Sequence, residues 1–328
     1  MTRSLFTITL LVALAACRGE RGTPVAAPST TPAADVSHGE AAIGAADTAP
    51  VEALAPPRTN ATLRAVRIEI HHARIVVSPG VTYEAWTFDG RVPGPFIRVT
   101  QGDTVDFTLV NRAPIPHSMD FHAAEIAPSR VYVNVIPGDS LRYRFVARVP
   151  GAFLYHCGTA PVAMHIANGM YGAIIVDPRQ PRAPAREFVL VQSEFYTQRA
   201  PGTDSSAHAL DWQKLLGLAP DYVTFNGRGA QYATAPLHVK PGEPVRLYVV
   251  NAGPNRISAF HVVGAIFDHA YLDGSPSATL NGVQTVDVPV GGGAIFELRL
   301  AEPGDYPFVT HAFADATKGA VGVLRAKP

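Results

Sequence analysis

Four residues of the kinds that coordinate metal ions stand in a fixed order in the middle of the chain: His117, Cys157, His165 and Met170. A thiolate, two imidazoles and a weak axial thioether form the ligand set of blue-copper centres, because soft sulfur ligands suit both oxidation states of copper in electron transfer. Each residue alone has an ordinary alternative as a buried side chain. Together they predict a type 1 copper site, with His117 from one loop and the other three ligands from a second.

Further histidines lie close to these ligands in the sequence. In a β-strand, their side chains would point to the opposite face from the ligands. Neighbouring residues of a strand point to opposite sides, so His156 points outward if Cys157 points inward. His122 lies an odd number of positions from His117 and is expected on the outer side as well, together with Asp120. Two outward imidazoles suggest a second metal, and a catalytic site with three protein ligands requires one more histidine.

Short strands are the elements expected to position these side chains. Beyond residue 60 the sequence alternates in runs rich in Val, Ile, Phe, Thr and Tyr, punctuated by Pro-Gly and Asp-Gly, as in Leu63 to Val77, Thr104 to Val110 and Leu141 to Val149. Strands at this spacing indicate a β-sandwich or barrel. Helical signals are few and short, in His208 to Leu218 and just after His311.

The strand pattern occurs twice along the chain. Thr87-Phe88-Asp89-Gly90-Arg91 recurs as Thr224-Phe225-Asn226-Gly227-Arg228, Phe121-His122 recurs as Phe260-His261, and Pro150-Gly151 recurs as Pro303-Gly304. So many correspondences in one order predict two copies of a β domain, over residues 61–178 and 179–328, joined by a proline-rich connection. The second copy supplies the missing histidine of the outer site, His311, shortly after its own Pro-Gly pair.

The first 60 residues predict export and attachment to a lipid. In residues 1–17, an apolar run from Leu5 to Ala16 follows Arg3 and ends in small residues directly before Cys17, as in a bacterial lipoprotein signal. The run is too short to span a bilayer, which takes about 20 apolar residues. Residues 18–60 are rich in Ala, Pro, Thr, Ser and Gly and are expected to form a flexible tether. We therefore expect an exported, membrane-tethered lipoprotein that faces the periplasm or the cell surface.

Composition excludes several other classes of protein. The 328 residues include 27 Lys+Arg and 27 Asp+Glu, so the formal net charge of zero argues against a nucleic-acid partner, which would require excess basic residues. A hydrophobic content of 47% argues against general disorder. After removal of the leader and lipidation of Cys17, Cys157 is the only free cysteine in the sequence, so no intramolecular disulfide can form.

From residue 61 to 328 the pattern resembles the copper-containing nitrite reductases. This resemblance implies an all-β fold of two tandem cupredoxin-like Greek-key β-sandwich domains, assembled as a homotrimer. It implies type 1 copper at His117, Cys157, His165 and Met170, and type 2 copper at His122, His156 and, from the adjacent subunit, His311. Two copper ions per chain are therefore expected.

The same resemblance implies roles for residues beside the outer copper. Asp120 and His261 match the paired acid-base residues of the family, and Val263 stands where many members place an isoleucine against the substrate. The cysteine and the second histidine of the type 1 set are eight positions apart, as in the shorter-loop branch of the family. Met164 stands where the longer-loop branch has a tryptophan.

The activity implied is the reduction of nitrite to nitric oxide, which consumes one electron and two protons. An electron from an external donor would enter at the type 1 copper and pass through Cys157 and His156, which are covalently adjacent, to the type 2 copper, where nitrite binds. Asp120 and His261 would relay protons. The chain has no Cys-X-X-Cys-His motif for a fused haem, so the donor is expected to be a separate protein, either a c-type cytochrome or a small cupredoxin.

Two other functions compete with this interpretation. A two-domain laccase-like multicopper oxidase would need several His-X-His pairs for its trinuclear cluster, and the chain contains none. A tethered cupredoxin that only carries electrons would use His117, Cys157, His165 and Met170 but would leave His122, His156 and His311 without a role. The expected copper content separates the three: two ions per chain for the reductase, one for the carrier and four for the oxidase.

Overall fold

The computed structural model describes residues 49–202 and 204–328. The expected signal peptide, Cys17 and most of the expected tether lie outside these residues. The described part of the chain folds into twenty-one strands and five helices of four to six residues. Among these residues, no helix is long and apolar enough to cross a membrane.

The elements follow one another along the chain with short connections. The strands are β1 Leu63–Ser78, β2 Val81–Phe88, β3 Ile97–Thr100, β4 Thr104–Asn111, β5 Asp120–Phe121, β6 Ser140–Val146, β7 Gly151–His156, β8 Tyr171–Asp177, β9 Arg186–Phe195, β10 Thr197–Arg199, β11 Ala207–Leu210, β12 Tyr222–Phe225, β13 Leu237–Val239, β14 Pro244–Gly253, β15 Ser258–Val262, β16 Phe267–Leu272, β17 Thr279–Val283, β18 Thr285–Val288, β19 Gly293–Arg299, β20 Gly304–Thr310 and β21 Val321–Ala326. The helices are α1 Pro128–Val131, α2 Val162–Ala167, α3 Trp212–Leu216, α4 Gln231–Thr234 and α5 Phe313–Ala316.

The first sandwich packs a six-stranded sheet, in the order β10-β11-β2-β1-β4-β6, against a four-stranded sheet, in the order β3-β8-β7-β5. Its core is formed by residues that alternate along the strands, such as Ile68 and Ile70 on β1 and Phe107 on β4, because every second side chain of a strand faces the same way. The edge strands β10 and β11 come from the segment expected in the second domain. They join the first sheet because Ala207 and His208 pair with β2, so His208 lies in a strand rather than a helix.

The second sandwich packs a sheet in the order β12-β9-β14-β19-β16-β17 against one in the order β13-β21-β20-β15-β18. Aromatic rings fill its core, with Phe260 stacked on Phe296 at a centroid distance of 5.0 Å. The two short helices expected from the sequence are α3 and α5.

The repeated motif forms the same turn in both sandwiches. Asp89 and Gly90 have φ values of 54° and 71°, and Asn226 and Gly227 have values of 56° and 77°. Positive φ at both central residues defines a tight hairpin turn that favours Asn-Gly or Asp-Gly. A bridge between the flanking phenylalanine and arginine closes each turn, so the sequence repeat is also a structural repeat.

The two sandwiches share an apolar interface and a buried ion network. The interface includes Leu154 of the first sandwich and Val191 of the second. Arg98 on β3 pairs with Glu187 on β9 at 2.7 Å, and Arg246 on β14 binds the same carboxylate at 2.7 Å. Burial alone would raise the pKa of Glu187, but these guanidinium groups outweigh it and hold the pKa at about 2. The network therefore remains charged at neutral pH and joins the two sandwiches.

One part of the expected tether is ordered against the second sandwich. Ala53 is 1% exposed and belongs to the core of that sandwich, and Leu54 forms an isolated bridge with Phe188. The amide of Val189 donates to the carbonyl of Ala53 at 2.7 Å. The prediction of a flexible segment through residue 60 is therefore wrong for residues 53–55, because Ala53 packs into the core and this segment pairs with β9, a tertiary contact that composition does not reveal.

Candidate metal centres

A buried cluster of three potential metal ligands lies at one end of the first sandwich. His117, Cys157 and His165 each offer one ligand atom, and these atoms lie within 4.8 Å of one another. Cys157 Sγ is 3.2 Å from His165 Nδ1 and 3.9 Å from His117 Nδ1, and the two Nδ1 atoms are 3.1 Å apart. All three side chains are buried.

Different elements bring these three ligands together. His117 stands in a loop that is paired with Val135 by an isolated bridge, while Cys157 directly follows β7. His165 lies on α2, in the loop that returns to β8. Met170 is fully buried at the end of that loop, and its backbone amide donates to the carbonyl of His165 at 3.2 Å while its carbonyl accepts from the amide of Cys157 at 3.1 Å.

Burial keeps both imidazoles of this cluster in the neutral form that binds metals. Desolvation, with smaller contributions from neighbouring histidines, lowers the pKa of His117 to about 3 and that of His165 to about 4. Neutral imidazole is a metal ligand and imidazolium is not. The amide of Ser118 donates to Cys157 Sγ at 3.3 Å. The donor set, its convergence and its burial therefore fit copper in an electron-transfer site.

A second cluster lies on the outer side of the same strand and consists of Asp120, His122 and His156. Asp120 and His156 are direct cross-strand partners on β5 and β7. His122 Nε2 is 3.1 Å from His156 Nε2, and each of these atoms is 3.9 Å from Asp120 Oδ2. The side chain of His122 retains 32% of its exposure and that of Asp120 retains 43%, whereas His156 retains 10%, so the cluster opens to solvent.

A neighbouring carbonyl group determines which ring nitrogen of His156 carries the hydrogen. His156 Nδ1 is 2.9 Å from the carbonyl oxygen of Cys157, which can only accept. Nδ1 therefore carries the hydrogen, and Nε2 presents a lone pair to the cluster. Desolvation, opposed by this hydrogen bond and reinforced by His122, lowers the pKa of His156. This neutral tautomer is suited to metal binding through Nε2.

The second sandwich contributes a separate pair, His261 and His311. Their ring centroids are 5.5 Å apart, because the amide of His311 donates to the carbonyl of Ala259, two residues before His261 on β15. His261 Nδ1 donates to the carbonyl of Gln284 at 2.7 Å. Val263, two residues further along the chain, is 44% exposed.

The residues expected at the outer site therefore form two groups within one chain. Asp120, His122 and His156 are together, whereas His311 is outside this 4.8 Å ligand cluster among the described residues. The predicted acid-base pair is divided in the same way, because His261 contacts His311 and Asp120 lies beside His122. Their predicted roles as ligands and proton relays stay predictions.

Sequence reasoning missed one histidine beside the buried cluster. His72 Nε2 lies 3.3 Å from His117 Nε2. Its ring stacks on that of Trp86 at 5.2 Å and 8°, and Trp86 also contacts His165 at a centroid distance of 4.8 Å. A usable signal was present, because His72 continues the alternation of Ile68 and Ile70, whose side chains face the core.

Models of multicopper oxidase domains match residues 69–181 and residues 186–326. The chain is therefore a two-domain copper protein with cupredoxin-like β-sandwiches, as expected from the sequence.

Individual relatives define the family more narrowly. The chain is 40% identical to the copper-containing nitrite reductase of Neisseria gonorrhoeae, over 97% of this chain and 86% of that one. It is 43% identical to the enzyme of the same name from Neisseria meningitidis MC58, over 79% of this chain and 68% of that one. The structure of the copper nitrite reductase from Nitrosomonas europaea matches with a TM-score of 0.74 and 38% identity, covering 81% of this chain and 94% of that one. The chain belongs to the copper-containing nitrite reductase family, and it is an oxidoreductase.

Proposed function

We propose that this protein reduces nitrite to nitric oxide with two copper ions per chain. The observation that carries the proposal is that the two clusters meet at consecutive residues: His156 faces the outer cluster and Cys157 the buried one. A single peptide unit therefore links a buried set of soft ligands to a solvent-open set of imidazoles. A protein that only carried electrons would have no use for the second set.

The proposed ligands fall into two sets, one for each copper centre. His117, Cys157, His165 and Met170 would hold type 1 copper, and His122, His156 and His311 would hold type 2 copper. Bound copper would supply one-electron transfer at the buried centre and a Lewis-acidic position for nitrite at the open one. Between them, the backbone and side chains of Cys157 and His156 offer the shortest covalent route for the electron.

The third ligand of the open centre is proposed to come from another copy of the chain. His311 is exposed on the second sandwich and lies outside the cluster formed by His122 and His156 within one chain. A homotrimer in which His311 of each chain meets the other two histidines of its neighbour would complete every site. It would also bring His261 toward Asp120 and Val263 toward the substrate.

Proton delivery is proposed for Asp120 and His261. Converting nitrite to nitric oxide and water consumes one electron and two protons, so the residues beside the substrate must give up hydrogen ions during each turnover. Asp120 lies within 3.9 Å of both histidines of the open cluster, where a nitrite oxygen could receive a proton from its carboxyl group. The Nδ1 hydrogen of His261 is held by the Gln284 carbonyl, so His261 would exchange protons through Nε2.

The electron is proposed to come from a separate protein, a c-type cytochrome or a small cupredoxin. We also propose that the chain is exported and held at a membrane by lipid on Cys17, facing the periplasm or the cell surface. Cys17→Ser should then release active protein into the soluble fraction, because the apolar run before it is too short for stable anchoring. Retention of this variant in membranes after a high-salt wash would contradict the lipid anchor.

Anaerobic turnover is the direct test of the activity. Copper-loaded protein supplied with a reduced dye and nitrite should release nitric oxide, measured with a nitric oxide electrode. Metal analysis should find two copper ions per chain. One copper ion per chain without nitric oxide would indicate an electron carrier, and four with oxygen consumption would indicate an oxidase.

A further inference from the structure

His72 stands at the end of the row of β1 side chains that faces the core of the first sandwich. Ile68 and Ile70 precede it on the same face and are 1% and 0% exposed. Its cross-strand partner on β2 is Trp86, which precedes Phe88 on the same face of that strand. The strand register therefore places His72 beside Trp86, although His72 itself remains exposed.

The ring of His72 reaches the outer edge of the His117 imidazole. The two Nε2 atoms are 3.3 Å apart, and the rings meet edge to face at 76° with a centroid distance of 5.5 Å. Trp86 lies parallel to His72 and meets both His117 and His165 edge-on. His72 is thus held by stacking on one side and contacts the buried cluster through one nitrogen.

The direction of this hydrogen bond follows from the chemistry of the two rings. His117 points Nδ1 at Cys157 Sγ and His165, so a metal bound there takes the Nδ1 lone pair and leaves the hydrogen on Nε2. His117 Nε2 must then donate, and His72 Nε2 must accept. His72 therefore carries its own hydrogen on Nδ1, where its partly exposed side chain allows water to accept it.

We propose that His72 is a positioning residue for the buried copper centre. By accepting a hydrogen bond from His117 Nε2, His72 orients the His117 ring and increases the basicity of that ring. This inference rests on the proposed type 1 site and assigns the partner of one of its ligands. Histidine ligands commonly donate their second N–H to a carboxylate, carbonyl group or water, and loss of that partner costs about 10- to 100-fold in metal affinity or activity. In this chain the acceptor is instead the neutral imidazole of His72, which is stacked on Trp86.

The acceptor should favour oxidised copper over reduced copper. A ligand imidazole that donates a strong hydrogen bond has more electron density on Nδ1, and this density stabilises the more positive ion. Removing the acceptor should therefore weaken Cu(II) binding more than Cu(I) binding and raise the reduction potential. A tenfold difference between the two losses corresponds to about 59 mV for a one-electron couple.

Three variants of the full-length protein test this role. His72→Phe keeps an aromatic ring against Trp86 but removes the acceptor, and His72→Gln restores an acceptor through its side-chain oxygen. His71→Phe is the matched control, because His71 precedes His72 on β1 and faces away from the cluster, with its Nε2 3.4 Å from the carboxylate of Glu69. The midpoint potential of the type 1 copper is measured by following the visible thiolate-to-copper band. The copper affinity of the type 1 site is measured in competition with a chelator.

We expect His72→Phe to bind type 1 copper 10- to 100-fold more weakly and to have a raised midpoint potential, with His72→Gln closer to the wild type and His71→Phe unchanged. Equal shifts in His71→Phe would assign the effect to strand stability and overturn the proposal. A His72→Phe protein with an unaltered band, potential and affinity would overturn it as well. Failure of the wild-type protein to develop the band would instead reject the type 1 site itself.

Discussion

The buried cluster and the open cluster differ in solvent exposure although they begin at adjacent residues. Cys157 and His165 are almost completely buried, while His122 and Asp120 keep about a third or more of their side-chain exposure. The alternation of β7 separates them, since one residue faces the core and the next faces outward. A single strand therefore joins a cluster of potential metal ligands that is shielded from solvent to one that is open to solvent.

The two sandwiches show the same division at the level of domains. Both contain the Asx-Gly turn and the Phe-His pair, but only the first has a cysteine. His261 of the second pair lies beside His311, which is exposed. The two sandwiches thus share the turn and the Phe-His pair, but among the described residues only the first sandwich contains a buried cluster of histidines and cysteine.

Replacing the shared cysteine should separate the two clusters most completely. Cys157→Ala should lose all intense visible absorption and nearly all nitrite turnover, because only a thiolate ligand gives that band. His156 should still hold type 2 copper, visible by electron paramagnetic resonance. His122→Ala is the reciprocal control and should keep the visible band while losing the type 2 signal. Persistence of the band in Cys157→Ala would remove Cys157 from the buried centre.

Removing His311 should empty the open centre and leave the buried one intact. His311→Ala should lose type 2 copper and turnover while retaining the visible band, and His269→Ala, on a different strand of the same sandwich, should retain both. If His311 acts in a neighbouring chain, subunit exchange between His311→Ala and His122→Ala proteins should restore part of the turnover. No recovery after verified exchange would argue that each site is completed within one chain.

Asp120→Asn should slow turnover without removing copper. An amide matches the shape of the carboxyl group but cannot shuttle protons, and general acid-base groups typically contribute about 100- to 10,000-fold. If the two residues form one relay, the loss of turnover in the double variant with His261→Asn should be much smaller than the combined losses of the two single variants. Glu125→Gln is the control, because Glu125 is an exposed carboxylate that pairs with Arg148 at 3.8 Å. Turnover by Asp120→Asn within threefold of the wild type would place the proton route elsewhere.

The buried cluster should make the copper-free protein sensitive to acid. Histidine has a pKa near 6.5 in an unfolded chain, and burial lowers the values of His117 and His165 to about 3 and 4 in the folded chain. The unfolded state therefore binds more protons below pH 6.5, and the free energy of unfolding should fall as the pH drops from 6.5 toward 4. The slope should approach about 1.4 kcal/mol per pH unit for each histidine. Urea unfolding of copper-free His165→Gln should show a shallower pH dependence, and an equal slope would contradict this assignment.

The sequence alone determined the all-β class, the internal repeat and the family, because strand alternation, turn residues and ligand types are local properties. It also indicated which residues would face inward and outward around Cys157, since a period of two needs no tertiary information. The roles of His117, His122 and His311 as ligands stay predictions that rest on these patterns and on the resemblance.

Tertiary structure decided which of these residues meet within one chain. The sequence did not predict that β10 and β11 would extend the first sheet, that Ala53 would enter the core of the second sandwich, or that His261 would lie beside His311 and apart from Asp120. Nor did it predict that His72 would reach His117. Each of these facts depends on the register between strands distant in the chain, and register is set by the packing of whole sheets, not by the residues next to one another in sequence.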